Sequence, residues 1–214
     1  MIRAPVAVGR PAIVALAAAL VVMACQSSTT PSRGAASDLP AETIELPGSG
    51  GPPPSPTQPD DTTPVVLDET LLGILPEAIA GFEITEASDE AAIALSAPAL
   101  RTVATALDAG VAVDTSAGNL AYALVVKLRP KVFTEETFRQ WRDSFDEGAC
   151  AASGGVAGNA EATIDDRTVH ITSCAGGLHT YHVWLADDDL LVSASSVGDA
   201  RFGEQLVDNL RVPA

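Results

Sequence analysis

Between residues 160 and 197 the chain alternates four apolar runs with very short polar turns, and this restricts its fold more than any other feature. Runs 160–165 and 168–174 meet at Asp165-Asp166-Arg167. Run 178–186 follows Gly176-Gly177, and run 190–197 follows Asp187-Asp188-Asp189. Connections this short leave no room for a crossover, so neighbouring runs are expected to pair antiparallel as a meander.

The segments before the meander supply helices and one strong strand. In residues 121–129, Tyr122, Leu124, Val126 and Leu128 alternate with Ala123, Val125, Lys127 and Arg129, the period of a strand. Thr134 is placed to cap a helix over 135–147. Glu135 and Glu136 in its first turn suit the helix dipole, and Phe138, Trp141 and Phe145 form its apolar stripe. Gly148 reads as its stop, with Cys150 just beyond. A second helix is predicted over 98–108, with Leu100, Val103 and Leu107 on one face and Gly110 as its stop. Shorter elements complete the set: a helix at 70–75 stopped by Pro76, a strand at 82–87, and an alanine-rich helix capped by Ser88 or Asp89. A closing helix capped by Asp199 carries Phe202, Leu206 and Leu210. The expected class is α+β: an antiparallel sheet of about five to seven strands, with a C-terminal meander and helices packed on it. Residues 65–214 are enough for a single domain.

Residues 1–64 have a different character. Arg3 and Arg10 precede an apolar stretch from 12 to 24 that ends in Val22-Met23-Ala24-Cys25. That stretch is well short of the roughly 20 residues a spanning helix needs. The pattern resembles a bacterial lipoprotein signal peptide with its lipobox. Val22 and Ala24 fit the family's preferences, and Met23 departs from the usual small residue. The resemblance implies removal of residues 1–24, lipidation of Cys25 and anchoring on the extracytoplasmic side of the cell membrane. Two acyl chains hold firmly where one binds only marginally. Gln26 after the cysteine implies, by the same likeness, no enforced inner-membrane retention, so an outer membrane is open to it in a diderm host. An ordinary cleaved signal and an uncleaved anchor are the competing readings. Residues 25–64 are rich in Pro, Gly, Ser and Thr and poor in large apolar side chains, which reads as a disordered tether. Fully extended, it would reach roughly 120 Å.

The formal net charge is -16, from 28 acidic and 12 basic side chains. A chain this acidic lacks the basic footprint that nucleic acid or an anionic bilayer surface requires. With Cys25 assigned to a lipid, Cys150 and Cys174 remain. An exported chain meets oxidising conditions, so the two are expected to form a disulfide. The absence of a Cys-x-x-Cys spacing disfavours a redox pair, and two cysteines alone do not make the usual zinc site.

Local motifs for catalysis are absent: no Gly-x-Ser-x-Gly, no Ser-x-x-Lys and no His-Glu-x-x-His. A triad dispersed along the chain would leave no such mark. His179 and His182 are three apart on an expected strand, which sends them to opposite faces, whereas His170 and His182 could meet across adjacent strands. Sheet histidines are favoured over a metal site. The glycine-rich 154–159 follows a helix and leads into a strand, unlike a phosphate cradle, and reads as a mobile connection. The Asp clusters at 165–166 and 187–189 lack calcium-loop spacing and suit turns. No cofactor is called for. Tyr181 and Trp184 lie on opposite faces of one strand, so one of them is expected to face away from the core. Together with His179 and His182 they form the candidate binding surface.

The element order of the last 150 residues resembles Mog1/PsbP-like lipoprotein domains and related extracytoplasmic sensor-type modules, at the level of pattern. The leading functional expectation is a non-catalytic binding or interaction module, with an unidentified protein or small-molecule partner in the cell envelope. A carrier of an apolar ligand is the second expectation and requires a cavity beneath the Phe138/Trp141/Phe145 helix. A hydrolase is the third and requires a cleft where a histidine meets a carboxylate or hydroxyl.

Overall fold

The computed structural model describes residues 64–211. The signal segment 1–24, Cys25 and all but the last residue of the tether 25–64 lie outside the described residues. In chain order the elements are β1 (Val66–Leu67), a 3-10 turn (Glu69–Ile74), β2 (Ala78–Ile79), β3 (Phe82–Glu83), β4 (Thr85–Glu86), α1 (Ser88–Leu95), α2 (Pro98–Val103), β5 (Ala104–Asp114) and β6 (Asn119–Leu128). They continue with α3 (Glu135–Ala151), β7 (Val156–Ile164), β8 (Arg167–Cys174), β9 (His179–Leu185), a second 3-10 turn (Ala186–Asp188), β10 (Leu190–Val197) and α4 (Phe202–Asp208).

The main sheet has eight strands, ordered β1-β5-β6-β10-β9-β8-β7 with β4 also against β5, while β2 and β3 form a separate pair. Only β1 pairs in parallel; the other ladders are antiparallel. The fold is therefore α+β as expected. The strand count exceeds the expected range because β1 and β4 contribute two residues each. The meander forms as β7, β8, β9 and β10. Its first turn is the two-residue Asp165-Asp166, both at positive φ (48° and 58°), the geometry that matches strand twist in a tight hairpin.

Both faces of the sheet are covered over its central strands, whereas the edge strand β7 is largely exposed. On one, Tyr122, Leu124, Val126 and Leu191 pack under α1, α2 and the Phe138 end of α3. On the other, Ala123, Val125, Val192 and Ala194 pack under the first 3-10 turn and α4, through Leu71, Ile74, Phe202 and Leu206. Helix α4 sits tightly because Gly203 has no side chain: a Cβ there would meet the Tyr181 ring at 2.2 Å.

Several local expectations are corrected, the first being that neither Ser88 nor Asp89 caps α1, whose N-cap is Ala87 with no side-chain hydrogen bond. The helix expected over 98–108 ends at Val103, and β5 takes over through an irregularity between Ala104 and Ala106. Gly110 is not a helix stop. It lies inside β5, where a Cβ would meet Ile84 Cγ2 at 2.8 Å. Helix α3 runs through Gly148 to Ala151, so Cys150 is in its last turn. Residues 156–159 belong to β7 and are not a mobile connection, and α4 follows Arg201 at φ 55° with no side-chain cap from Asp199. The Thr134 cap forms as expected, its hydroxyl accepting from Thr137 N at 3.2 Å.

Cys150 and Cys174 stand at disulfide distance, with Cα atoms 5.1 Å apart. The pair joins the end of α3 to the end of β8 and packs with Phe145, Ala149 and Leu178.

Candidate functional site

Helix α3 crosses the sheet with its aromatic stripe inward and carries one acid on that buried side. Asp146 is 4% exposed. It accepts hydrogen bonds from Thr172 Oγ1 at 2.6 Å and from Thr180 Oγ1, and lies 2.9 Å from His182 Nε2. His182 Nδ1 is 2.9 Å from Ser193 Oγ, which accepts the Trp141 Nε1–H at 2.9 Å. One proton arrangement satisfies the whole chain: Trp141 donates to Ser193, Ser193 to His182 and His182 to Asp146. Burial pushes the Asp146 carboxyl up. The hydrogen bond from His182, with the two threonine hydroxyls, outweighs this and holds it below the ordinary carboxylate range. Phe145 stands edge-on to His182, with centroids 5.1 Å apart.

The histidine expectations divide. His170 and His182 are directly opposite on β8 and β9. Burial, then the charge of Arg142, holds His170 below its usual range, and its ring packs on Phe138. His179 is on the other face, 3.1 Å from Ser173 Oγ. The expected binding surface at Tyr181, Trp184, His179 and His182 does not form an exposed patch. Tyr181 is 2% exposed beneath α4 and His182 is fully buried beneath α3, while Trp184 packs on Phe133 and Phe138. The cause is that both faces of the sheet are covered over its central strands. Of the turn carboxylates, Asp165 pairs with Arg167, and at the other aspartate turn Lys127 Nζ donates to the Asp188 main-chain carbonyl at 2.5 Å.

Beside the polar network lies a cavity of about 690 Å³. Trp141 and Phe145 of α3 wall it on one side, and Leu120, Tyr122 and Leu124 of β6 with Ser195 of β10 on the other. Leu100 of α2 lines a flank. Its exposed lining residues form two groups: Thr115, Gly118, Ala152, Gly176 and Val197, where the β5–β6 and β8–β9 turns meet the end of α3, and Ala99, Thr102 and Gln140 along the facing sides of α2 and α3. The mouth runs from that end of the sheet along the gap between α2 and α3. Trp141 and Phe145 therefore have two roles: one side faces the cavity and the other packs on the polar network.

Asp146, Ser193 and Ser195 were not singled out by the sequence reading. Their signals are faint but real. Asp146 is a charge next to Phe145 on the apolar side of an amphipathic helix, and Ser193 and Ser195 share the parity of Leu191 in an otherwise apolar strand.

Comparison of the chain with family models, with curated proteins and with solved structures finds no match in any of the three. The likeness to Mog1/PsbP-like domains rests on element order alone.

Proposed function

We propose that this chain is a membrane-anchored, extracytoplasmic carrier, held by a lipidated Cys25 and the 25–64 tether, that binds an elongated apolar ligand between α3 and the sheet. The observation that carries this reading is the cavity of about 690 Å³ beneath the aromatic stripe. It is a concave, mostly apolar space open to solvent, and its volume lies in the range of about 300–1,000 Å³ that takes a small ligand. Each methylene that fills it is worth about 0.8 kcal/mol of transfer free energy. The disulfide supports the same reading, because it fixes the end of α3 that borders the mouth.

The array Asp146–His182–Ser193 also invites a hydrolase reading, and three observations favour a structural role instead. Ser193 is 0% exposed and is absent from the cavity lining. Its Oγ already accepts from Trp141. It sits mid-strand with β6 and β9 paired on both sides, an environment whose backbone N–H groups are committed to the ladder and not to an oxyanion.

The test is Ser195→Phe, which puts a ring into the cavity from β10, a strand position that suits Phe. With a polarity-sensitive apolar dye and the full chain, wild type is expected to bind saturably. The variant is expected to lose at least about tenfold in affinity while keeping or raising its melting temperature, because filling a cavity restores lost contacts. Undiminished dye binding by a folded Ser195→Phe protein contradicts the assignment of the site.

A further inference from the structure

We infer that the ligand is a neutral lipid, one whose polar end carries no ionised group. This deepens the carrier reading and rests on it. Among the described residues the cavity lining contains no Lys, Arg or His, and its one carboxylate is Asp114. That carboxylate is fully engaged in its own turn: Oδ1 accepts from Ser116 N, Ser116 Oγ and Ala117 N, and Oδ2 accepts from Asn119 Nδ2. The Ser116 hydroxyl and these further donors hold it below the ordinary range, so it stays negative at neutral pH. The other polar side chains in the wall are neutral, among them the hydroxyls of Ser195 and Thr137, the amide of Gln140 and the phenol of Tyr122. Burial pushes that phenol up, so it does not ionise at physiological pH.

An anion entering this space would lose hydration with no cation to replace it, which is the costly case of charge burial. A head group left at the mouth fares little better. The exposed rim residues Thr115, Gly118, Ala152, Gly176 and Val197 are all uncharged, and the chain as a whole carries a formal charge of -16. A cation meets a single carboxylate, Asp114, which already accepts four hydrogen bonds, and must shed its hydration into an otherwise uncharged lining. A neutral oxygen loses least, because hydroxyls and an amide in the wall can pair with it. The chemistry fitted is a long-chain ester, glyceride or alcohol, in preference to a fatty acid anion or an amine.

The experiment measures retention of radiolabelled methyl oleate, oleate, oleylamine and octadecane by the immobilised full chain, below micellar concentrations and well above the carboxylate range of pH. Methyl oleate is expected to exceed oleate by about tenfold or more. Thr115→Lys, a cation added at the exposed rim, is expected to raise oleate retention selectively and narrow that ratio. Oleate or oleylamine held as firmly as methyl oleate overturns the neutrality inference, while methyl oleate and octadecane binding leaves the carrier reading standing. A ratio unmoved by Thr115→Lys also overturns it, since charge would not be the cause. Retention of none of the four removes the carrier reading and this inference with it.

Discussion

Asp146→Ala is expected to destabilise the folded chain by about 2–6 kcal/mol, roughly 1–3 kcal/mol for each of the two buried donors left without an acceptor. The loss leaves the buried His182 Nε2–H and Thr180 hydroxyl facing a gap beneath α3 without their acceptor, while Thr172 Oγ1 keeps Asn159 Oδ1 at 2.7 Å. Urea denaturation measures the effect, read from the midpoint at constant slope. A cost under about 1 kcal/mol, the size of an ordinary surface pair, would show that the network does not hold α3 to the sheet. The conservative Asp146→Asn reads the charge separately through pH. Because the folded carboxyl titrates below its unfolded value, the unfolded chain takes up the proton first. Its stabilisation is complete above the usual carboxylate pKa and is lost as pH falls through the depressed folded value. His170, also depressed, adds a loss that begins as pH drops below the usual histidine value of about 6.5. The Asn variant should have a shallower lower limb of the acid profile, keeping the part due to Asp114, and should keep the His170 limb.

Replacing both Cys150 and Cys174 by Ala is expected to cost about 3–4 kcal/mol, from the entropy of closing a loop with a sequence separation of 24 in the unfolded chain. The folded state loses a connection between two elements, α3 and β8, that otherwise meet only through side chains. The same urea titration checks it, with reduced wild type as the control. Equal stability of oxidised wild type and the double variant would mean that the packing of Phe145, Ala149 and Leu178 holds this corner unaided. The two effects are not expected to add, because Asp146 and Cys150 lie one turn apart on the same helix and fix the same contact.

Elements with strong local punctuation could be read from the sequence. The aspartate turns, the alternation in β6 and the Thr134 cap each carry their own chemistry, and each formed where expected. Strand β5 carried no such mark. Its alanines at 104, 106, 109 and 112 are strong helix formers, and Leu100, Val103 and Leu107 fit a helical period. The choice is made by partners distant in sequence: β6 along the length of β5, and Ile84 pressing on Gly110. Gly148 failed as a helix stop for a related reason, since tertiary packing at Cys150 carries α3 past it.

The candidate site was less legible than the fold. A cavity is space between elements, and no single segment encodes it. Its walls come from β6, β10, α2 and α3, so it emerges only once their packing is known. The Tyr181/Trp184 surface failed because sequence parity shows which residues share a face, not whether that face is covered. His182 was singled out from its neighbour His179, whereas the residues that give it meaning are 36 positions back at Asp146 and 11 ahead at Ser193.

The central claim is that the space beneath α3 holds an apolar molecule. Its most direct test is native mass spectrometry of the full chain isolated from its own host, compared with the same sample denatured and solvent-extracted. The expected result is an added mass on the native protein that is released by extraction, recovered as an uncharged long-chain compound and absent from Ser195→Phe. Identical native and denatured masses for wild type, in a sample that still fails to take up added methyl oleate, would contradict the carrier assignment.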